Sequence, residues 1–144
     1  GDLIIASAHI VVSPEKLSRE KNTRMLLKVM ENPDVNILGH IENTEFPVDF
    51  KEVLGAAKER GKLIEINNAS FTVARLNSRQ NCLEIIKLLK ENNQLTVLNS
   101  DAHISTRIGY VKEALEIAFE LGLKKEQILN FDHQRTAEFL KIKL

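Results

Sequence analysis

Strand-length apolar runs recur along this chain at steps of about thirty residues, the usual size of a βαβ unit. They are Leu3-Ile4-Ile5-Ala6, Val35-Asn36-Ile37-Leu38, Leu63-Ile64-Glu65-Ile66 and Leu95-Thr96-Val97-Leu98. Each is nearly continuous in apolarity rather than alternating, as in parallel strands covered on both faces. Segments of helical period fill the intervals. One is expected over about Glu20 to Glu31, with Met25, Leu26, Val29 and Met30 on one face. A second comes after Pro47, with Phe50, Val53, Leu54 and Ala57 inward and Gly61 at C′. A third starts after Ser78 as N-cap and presents Cys82, Ile85, Ile86 and Leu89. A fourth spans about Tyr110 to Leu121, with Val111, Ala114, Leu115 and Ala118 inward and Gly122 ending it. Ile128-Leu129-Asn130 predicts a short last strand, and Thr136 to Lys143 a terminal helix with a basic end. Strand–helix order without an internal linker predicts one α/β domain with a parallel sheet.

Composition excludes several function classes. Of 144 residues, 43% are hydrophobic and 28% charged, the balance of a globular chain. Lys plus Arg (20) equals Asp plus Glu (20), so the basic stripe that a polyanion binder needs is not expected. Nucleic-acid partners are further disfavoured by the lack of Trp and the single Tyr110. No apolar run nears the roughly 18 residues that span a bilayer, and no secretory signal is read at the start, so no membrane partner is expected. The single Cys82 fits a reducing cytoplasm. Gly1 stands where Met would start a chain, with a strand directly after it, which reads as a chain beginning inside something longer.

The residues that can carry chemistry lie just past the strands. The first strand runs into Ser7-Ala8-His9, the second into Gly39-His40, the third into Asn67-Asn68 and the fourth into Asn99-Ser100-Asp101-Ala102-His103. In parallel α/β folds ligands bind at this C-terminal edge. Three of the four histidines fall there; His133 reads as part of a helix-entry loop. Taken singly, His9 or His40 reads more readily as a structural side chain than as a ligand, and the pair Asp101 and His103 is short enough to occur by chance; it is the agreement of three strand ends that points to metal binding. In extended chain Asp101 and His103 would face the same side, and imidazole with carboxylate suits Zn, Mn or Fe. Glu65, mid-strand, reads either as a residue supporting such a site or as the partner of a core Arg or Lys. Arg75 and Arg79 are phosphate-clamp candidates, Arg79 being better read as solvated surface charge. The sequon Asn68-Ala69-Ser70 reads as chance and Cys82 as inert core.

Taken together, Asp2 to His9, Ile37-Leu38-Gly39-His40, Leu63 to Phe71 and Asn99 to His103 resemble the C-terminal part of a PHP-domain (polymerase and histidinol phosphatase) phosphoesterase. The likeness is greatest to the YcdX-like phosphatase branch. It continues through Asn81-Cys82 and Glu126 to Asn130, so it covers nearly the whole chain.

The resemblance implies the C-terminal half of a distorted seven-stranded (β/α) barrel, residues 1–144 forming one partial domain. It also implies a site for up to three divalent metals, with His9 and His40 serving one and Asp101 and His103 the other two. Arg75 matches a substrate-pocket position. Departures accompany the match. The family's N-terminal half supplies a His-x-His pair, two further histidines and a bridging glutamate, which this chain lacks. Ile10-Val11-Val12 stands where an acidic residue and proline are usual, Ile41-Glu42-Asn43-Thr44 where Pro-Gly-Asn is usual, and Asn99 where glycine is common.

The implied activity of the intact protein is hydrolysis of a phosphorylated small molecule by metal-activated water, with an incomplete site in this chain and a homodimer as one way to cover open barrel edges. The alternative is a non-catalytic α/β module that holds metal or phosphate weakly or serves in assembly.

Overall fold

A computed structural model of the chain describes residues 3–9, 17–72 and 77–141. Four parallel strands, β1 (Ile4–Ser7), β2 (Val35–Gly39), β3 (Leu63–Asn67) and β4 (Thr96–Asn99), lie side by side in chain order. Helices α1 (Arg19–Val29), α2 (Phe50–Glu59) and α3 (Arg79–Glu91) connect them; α4 (Lys112–Glu120) and α5 (His133–Leu140) come after β4. Consecutive strands neighbouring one another through helical crossovers are the wall of a partial (β/α) barrel, the architecture expected.

The strands bury two different faces. Leu38, Ile64, Ile66 and Leu98 pack outward on the helices, against Leu26, Met30, Leu54, Ile86 and Leu89. The other face carries a smaller cluster of Ile37, Leu63, Val97 and Leu129, with Phe139 of α5 packed on it. Registers pair Ile5 with Ile37, Ile37 with Leu63, and Glu65 with Val97. That inner face is therefore apolar at its lower end and turns polar only toward the C-terminal edge, at Ser7, Gly39, Glu65, Asn67 and Asn99.

Local chemistry explains most element ends. Ser18, Asp49 and Asp132 each accept the backbone N–H three residues on, capping α1, α2 and α5. Gly61 and Gly122 take positive φ just past α2 and α4. Ser78 departs from expectation: its backbone is helical and its side chain caps nothing. Met25 is 41% exposed, whereas Asn22 and Thr23 turn inward on α1 to bond Pro47 O and the Asp49 N–H. Hydrogen bonding to the neighbouring loop thus sets the buried stripe of α1 one step away from the apolar pattern.

The last strand is replaced by a side chain. Ile128 makes a single parallel bridge to Thr96, and residues 129–131 then form a 3₁₀ turn. The Asn130 amide accepts the Leu98 N–H at 2.8 Å and donates to Leu98 O at 2.8 Å. One amide so satisfies both polar groups of a strand residue, and the outer edge of β4 is closed without a strand. At the other end β1 pairs only with β2 among the described residues, and Leu3, Ile4 and Ile5 are 40–45% exposed. Among these residues no helix is long and apolar enough to cross a membrane.

Gly39 marks the tightest point of the sheet. A Cβ there would lie 3.0 Å from both Glu65 Oε2 and Ser7 Oγ, and 3.1 Å from Ile5 Cγ2. Gly39→Ala is expected to lower stability by roughly 1–3 kcal/mol, the usual cost of overpacking. Urea unfolding checks it: the midpoint should fall with the slope unchanged.

Candidate functional site

Glu65 is buried on the inner face, and both of its oxygens are engaged. Oε2 accepts the His40 backbone N–H at 3.1 Å, and Oε1 accepts the Asn99 amide at 2.7 Å. The carboxylate thus ties together the ends of β2, β3 and β4. It supports the edge rather than pairing with a cation, so the core Arg or Lys reading is replaced.

His40 itself is 6% exposed and has φ 56°, a left-handed conformation that a non-glycine residue rarely holds. Its Nε2 lies 3.7 Å from Asp101 Oδ2, and its Nδ1 3.4 Å from Glu42 Oε1. The Asn67 amide nitrogen lies 3.2 Å from Nδ1 and 3.4 Å from Nε2. His9, exposed at the end of β1, brings its ring to 4.7 Å from the His40 ring. Three of the residues singled out in the sequence, His9, His40 and Asp101, are thereby brought together from three strand ends.

His103 is placed differently. Asp101 has φ 52°, so the chain there is not the extended one expected from the sequence. The His103 ring is exposed and turns back until Nδ1 lies 2.8 Å from Asp101 O. A ring held through one nitrogen presents the other outward, the usual posture of a histidine that binds through its second nitrogen. Arg75 lies outside the described residues. Arg79 is exposed and stacks over Phe71 at 5.5 Å, and His133 is an exposed first residue of α5. Asn68 and Ser70 are buried, which removes the sequon from modification.

The donor types fit a divalent cation, and 3.7 Å is a separation that two ligands of one ion can take. The number of donors does not complete a shell. Among the described residues no group of three or more His, Cys, Asp or Glu side chains is placed to hold a metal ion. A metal at this edge requires further donors.

Asp101 lies where two clefts meet. One, of about 630 Å³, covers the inner face between Ile5, Glu65, Asn99 and Phe131. The other, of about 560 Å³, runs from Asp101 and His103 to Arg107, Tyr110 and Glu113. On its far wall Asn68 donates to Glu113 Oε2 at 3.0 Å and accepts the Ala114 N–H at 2.9 Å, capping α4 from another element. Burial acts to raise the Glu113 pKa, but hydrogen bonds from Asn68, its own backbone and Tyr110, with the charge of Arg107, outweigh it and hold the carboxyl below 4.5.

In the sequence Glu42 and Asn43 stand out only as departures from a family pattern, and Asn130 only as part of an expected strand, none of them as a residue that builds this edge. The Asn43 amide donates to Ala8 O at 3.0 Å and locks the loop after β1 to that after β2. The signal for such residues is faint: a polar side chain next to a strand end reads as ordinary loop composition.

No family model matches this chain. Proteins named probable phosphatase match it along nearly its whole length. Those from Thermoanaerobacter sp. and Clostridium novyi are 41% identical over 142 and 143 residues, and that from Clostridium acetobutylicum 38% over 143. The chain resembles probable phosphatases. Each match covers 99% of the chain but 58% of the relative, so the chain spans under two thirds of these proteins. Among solved structures, a histidinol phosphate phosphatase from Lactococcus lactis, complexed with zinc, L-histidinol and phosphate, superposes with a TM-score of 0.64. It is 19% identical and covers 85% of this chain and 57% of that one, so it establishes the fold.

Two residues of this edge give measurable expectations. Glu65→Ala leaves a buried N–H and a side-chain amide without acceptors and should cost about 2–4 kcal/mol, read by chemical denaturation with loss of amide protection at His40. Because Glu113 is more acidic folded than unfolded, its contribution is present above pH 4.5 and lost as the pH falls through its lowered folded value. Glu113→Gln should flatten the dependence of melting temperature on pH below 4.5.

Proposed function

We propose that this chain is part of a metal-dependent phosphoesterase that hydrolyses a phosphorylated small molecule, of the polymerase and histidinol phosphatase kind. The observation that carries the reading is the meeting of His9, His40 and Asp101 at the C-terminal edge of the sheet, in a chain similar to proteins named probable phosphatases. His9, His40, Asp101 and His103 would hold the metal, zinc, manganese or iron, with remaining donors supplied from outside the described residues. A bound divalent cation would lower the pKa of a water and neutralise phosphate oxygens. Glu65 keeps the His40 backbone in place, and Arg75 is assigned to orient the phosphate. The clefts that meet at Asp101 give room for a small phosphomonoester. The exposed β1 face would be covered by a further strand or by a second copy.

The absence of a three-donor group among the described residues favours a second reading: a non-catalytic module that holds metal or phosphate weakly. Metal content separates the two. Protein purified without chelator is expected to retain zinc, manganese or iron by plasma mass spectrometry and to release phosphate from p-nitrophenyl phosphate. Asp101→Ala should remove the metal and lower phosphate release by more than the roughly 10–100-fold that loss of an outer-shell partner brings, with far-UV circular dichroism unchanged. Equal metal content in both proteins would sink the ligand assignment, and a metal-free, inactive wild type would leave the binding module.

A further inference from the structure

The cleft that leads away from Asp101, about 560 Å³, is far larger than a phosphate group and falls in the roughly 300–1,000 Å³ range of small-molecule sites. The part of a phosphomonoester that departs with the ester oxygen would therefore lie in it. At its far end Arg107 and Tyr110 stand on one turn, with the Tyr110 N–H donating to Arg107 O at 3.1 Å. The Arg107 guanidinium carbon lies 4.8 Å from the centre of the Tyr110 ring. That ring is itself anchored. The Tyr110 hydroxyl donates to Glu113 Oε1 at 3.3 Å, and Asn68, buried just past β3, donates to Glu113 Oε2 at 3.0 Å. Arg107 thus rests on a platform tied through two side chains to the end of the sheet.

Its charge is not committed elsewhere. Among the described residues Arg107 makes no ion pair, although it is near enough to help hold Glu113 ionised. The Glu113 carboxylate is already served by Asn68, Tyr110 and its own backbone, so the charge left over at this end of the cleft is positive. A guanidinium held over an aromatic face keeps its N–H donors in its own plane, where they can make two parallel bonds to a carboxylate or phosphate. The contact with Tyr110 also restricts a flexible side chain before any ligand arrives, which lowers the ordering cost of binding. We propose that Arg107, held by Tyr110, forms a specificity subsite for a second anionic group, carboxylate or phosphate, on the leaving part of the substrate. The proposal rests on the phosphoesterase reading for the phosphate at the Asp101 end; the second anion is argued from the far wall of the cleft alone.

Phosphonates, whose carbon–phosphorus bond is not a phosphoester, test the subsite apart from the reaction. Either 5-phosphonopentanoate or pentane-1,5-bisphosphonate is expected to bind about 10–100-fold more tightly than pentylphosphonate in isothermal titration. The tighter of the two tells carboxylate from phosphate. It should also shift the Arg107 Nε–H resonance, which pentylphosphonate leaves in place. In Arg107→Gln the preference should vanish, and Arg107→Glu should instead favour 5-aminopentylphosphonate, a reversal that a merely structural arginine would not give. The subsite is overturned if the wild type binds neither dianion better than pentylphosphonate, or prefers the amine. It is equally overturned by a preference that survives in a folded Arg107→Gln protein, judged by its amide spectrum. Hydrolysis of pentyl phosphate judges the phosphoesterase reading separately. A protein that cleaves it but binds all the phosphonates alike keeps the reaction and rejects the subsite. One that cleaves nothing yet prefers a dianion through Arg107 keeps the subsite and rejects the reaction.

Discussion

A single carboxylate organises the C-terminal edge of this sheet. Glu65 sits among apolar strands where an unpaired charge would be intolerable, and it is accommodated because β2 and β4 bring donors to both of its oxygens. The arrangement works only with glycine at position 39, where any side chain would press on Glu65 and Ser7. The donor from β2 is the backbone N–H of His40, the residue in the left-handed conformation. Burial, backbone geometry and the orientation of His40 are therefore one linked arrangement, in which a change at any point is felt at the others.

Above Glu65 the edge is held by bonds that cross between loops. The Ala8 N–H donates to Gly39 O, Asn43 to Ala8 O, Asn81 to Glu42 O, and Asn68 spans from β3 to the start of α4. The first two join one strand end to another, and the other two tie helices α3 and α4 to residues just past β2 and β3. Two non-glycine residues with positive φ, His40 and Asp101, lie within this network. Conformations of that sort cost about 1–3 kcal/mol each and persist where the surroundings over-determine them. Here the His40 N–H is bound by Glu65 and the Asp101 carbonyl lies against the His103 ring, so the strain is fixed at the residues that meet across the cleft.

The apolar runs made the strands legible to within a residue or two: β2, β3 and β4 are covered on both faces and so are apolar nearly throughout, and β1 carries the same pattern with Ile4 and Ile5 exposed. The buried stripes of α2 and α3 kept to their 3.6-residue period for the same reason. Misreadings occurred where hydrogen bonding, not burial, decides the outcome. Ser78 has the composition of a cap but a helical backbone; Met25 cedes the interior to Asn22 and Thr23; Asn130 does with one amide what a strand was expected to do. At the candidate site His9, His40 and Asp101 were legible because they lie just past strands. The turn at Asp101 that sends His103 outward was not, since left-handed aspartate is a property of the tertiary contacts around it.

Glu42 shows the same limit from the other side. In the sequence it is a charged residue shortly past a strand, where solvent exposure is the ordinary expectation. Its burial comes from the short 40–43 turn, in which Asn43 N–H bonds back to His40 O and draws the segment over the strand ends. Ser70, from the 3₁₀ turn after β3, then closes above it. Enclosed within the fold, the same side chain accepts the Ser70 hydroxyl and comes within 3.4 Å of the His40 ring, so its burial follows from the turn and the 3₁₀ segment that close over it rather than from its own composition.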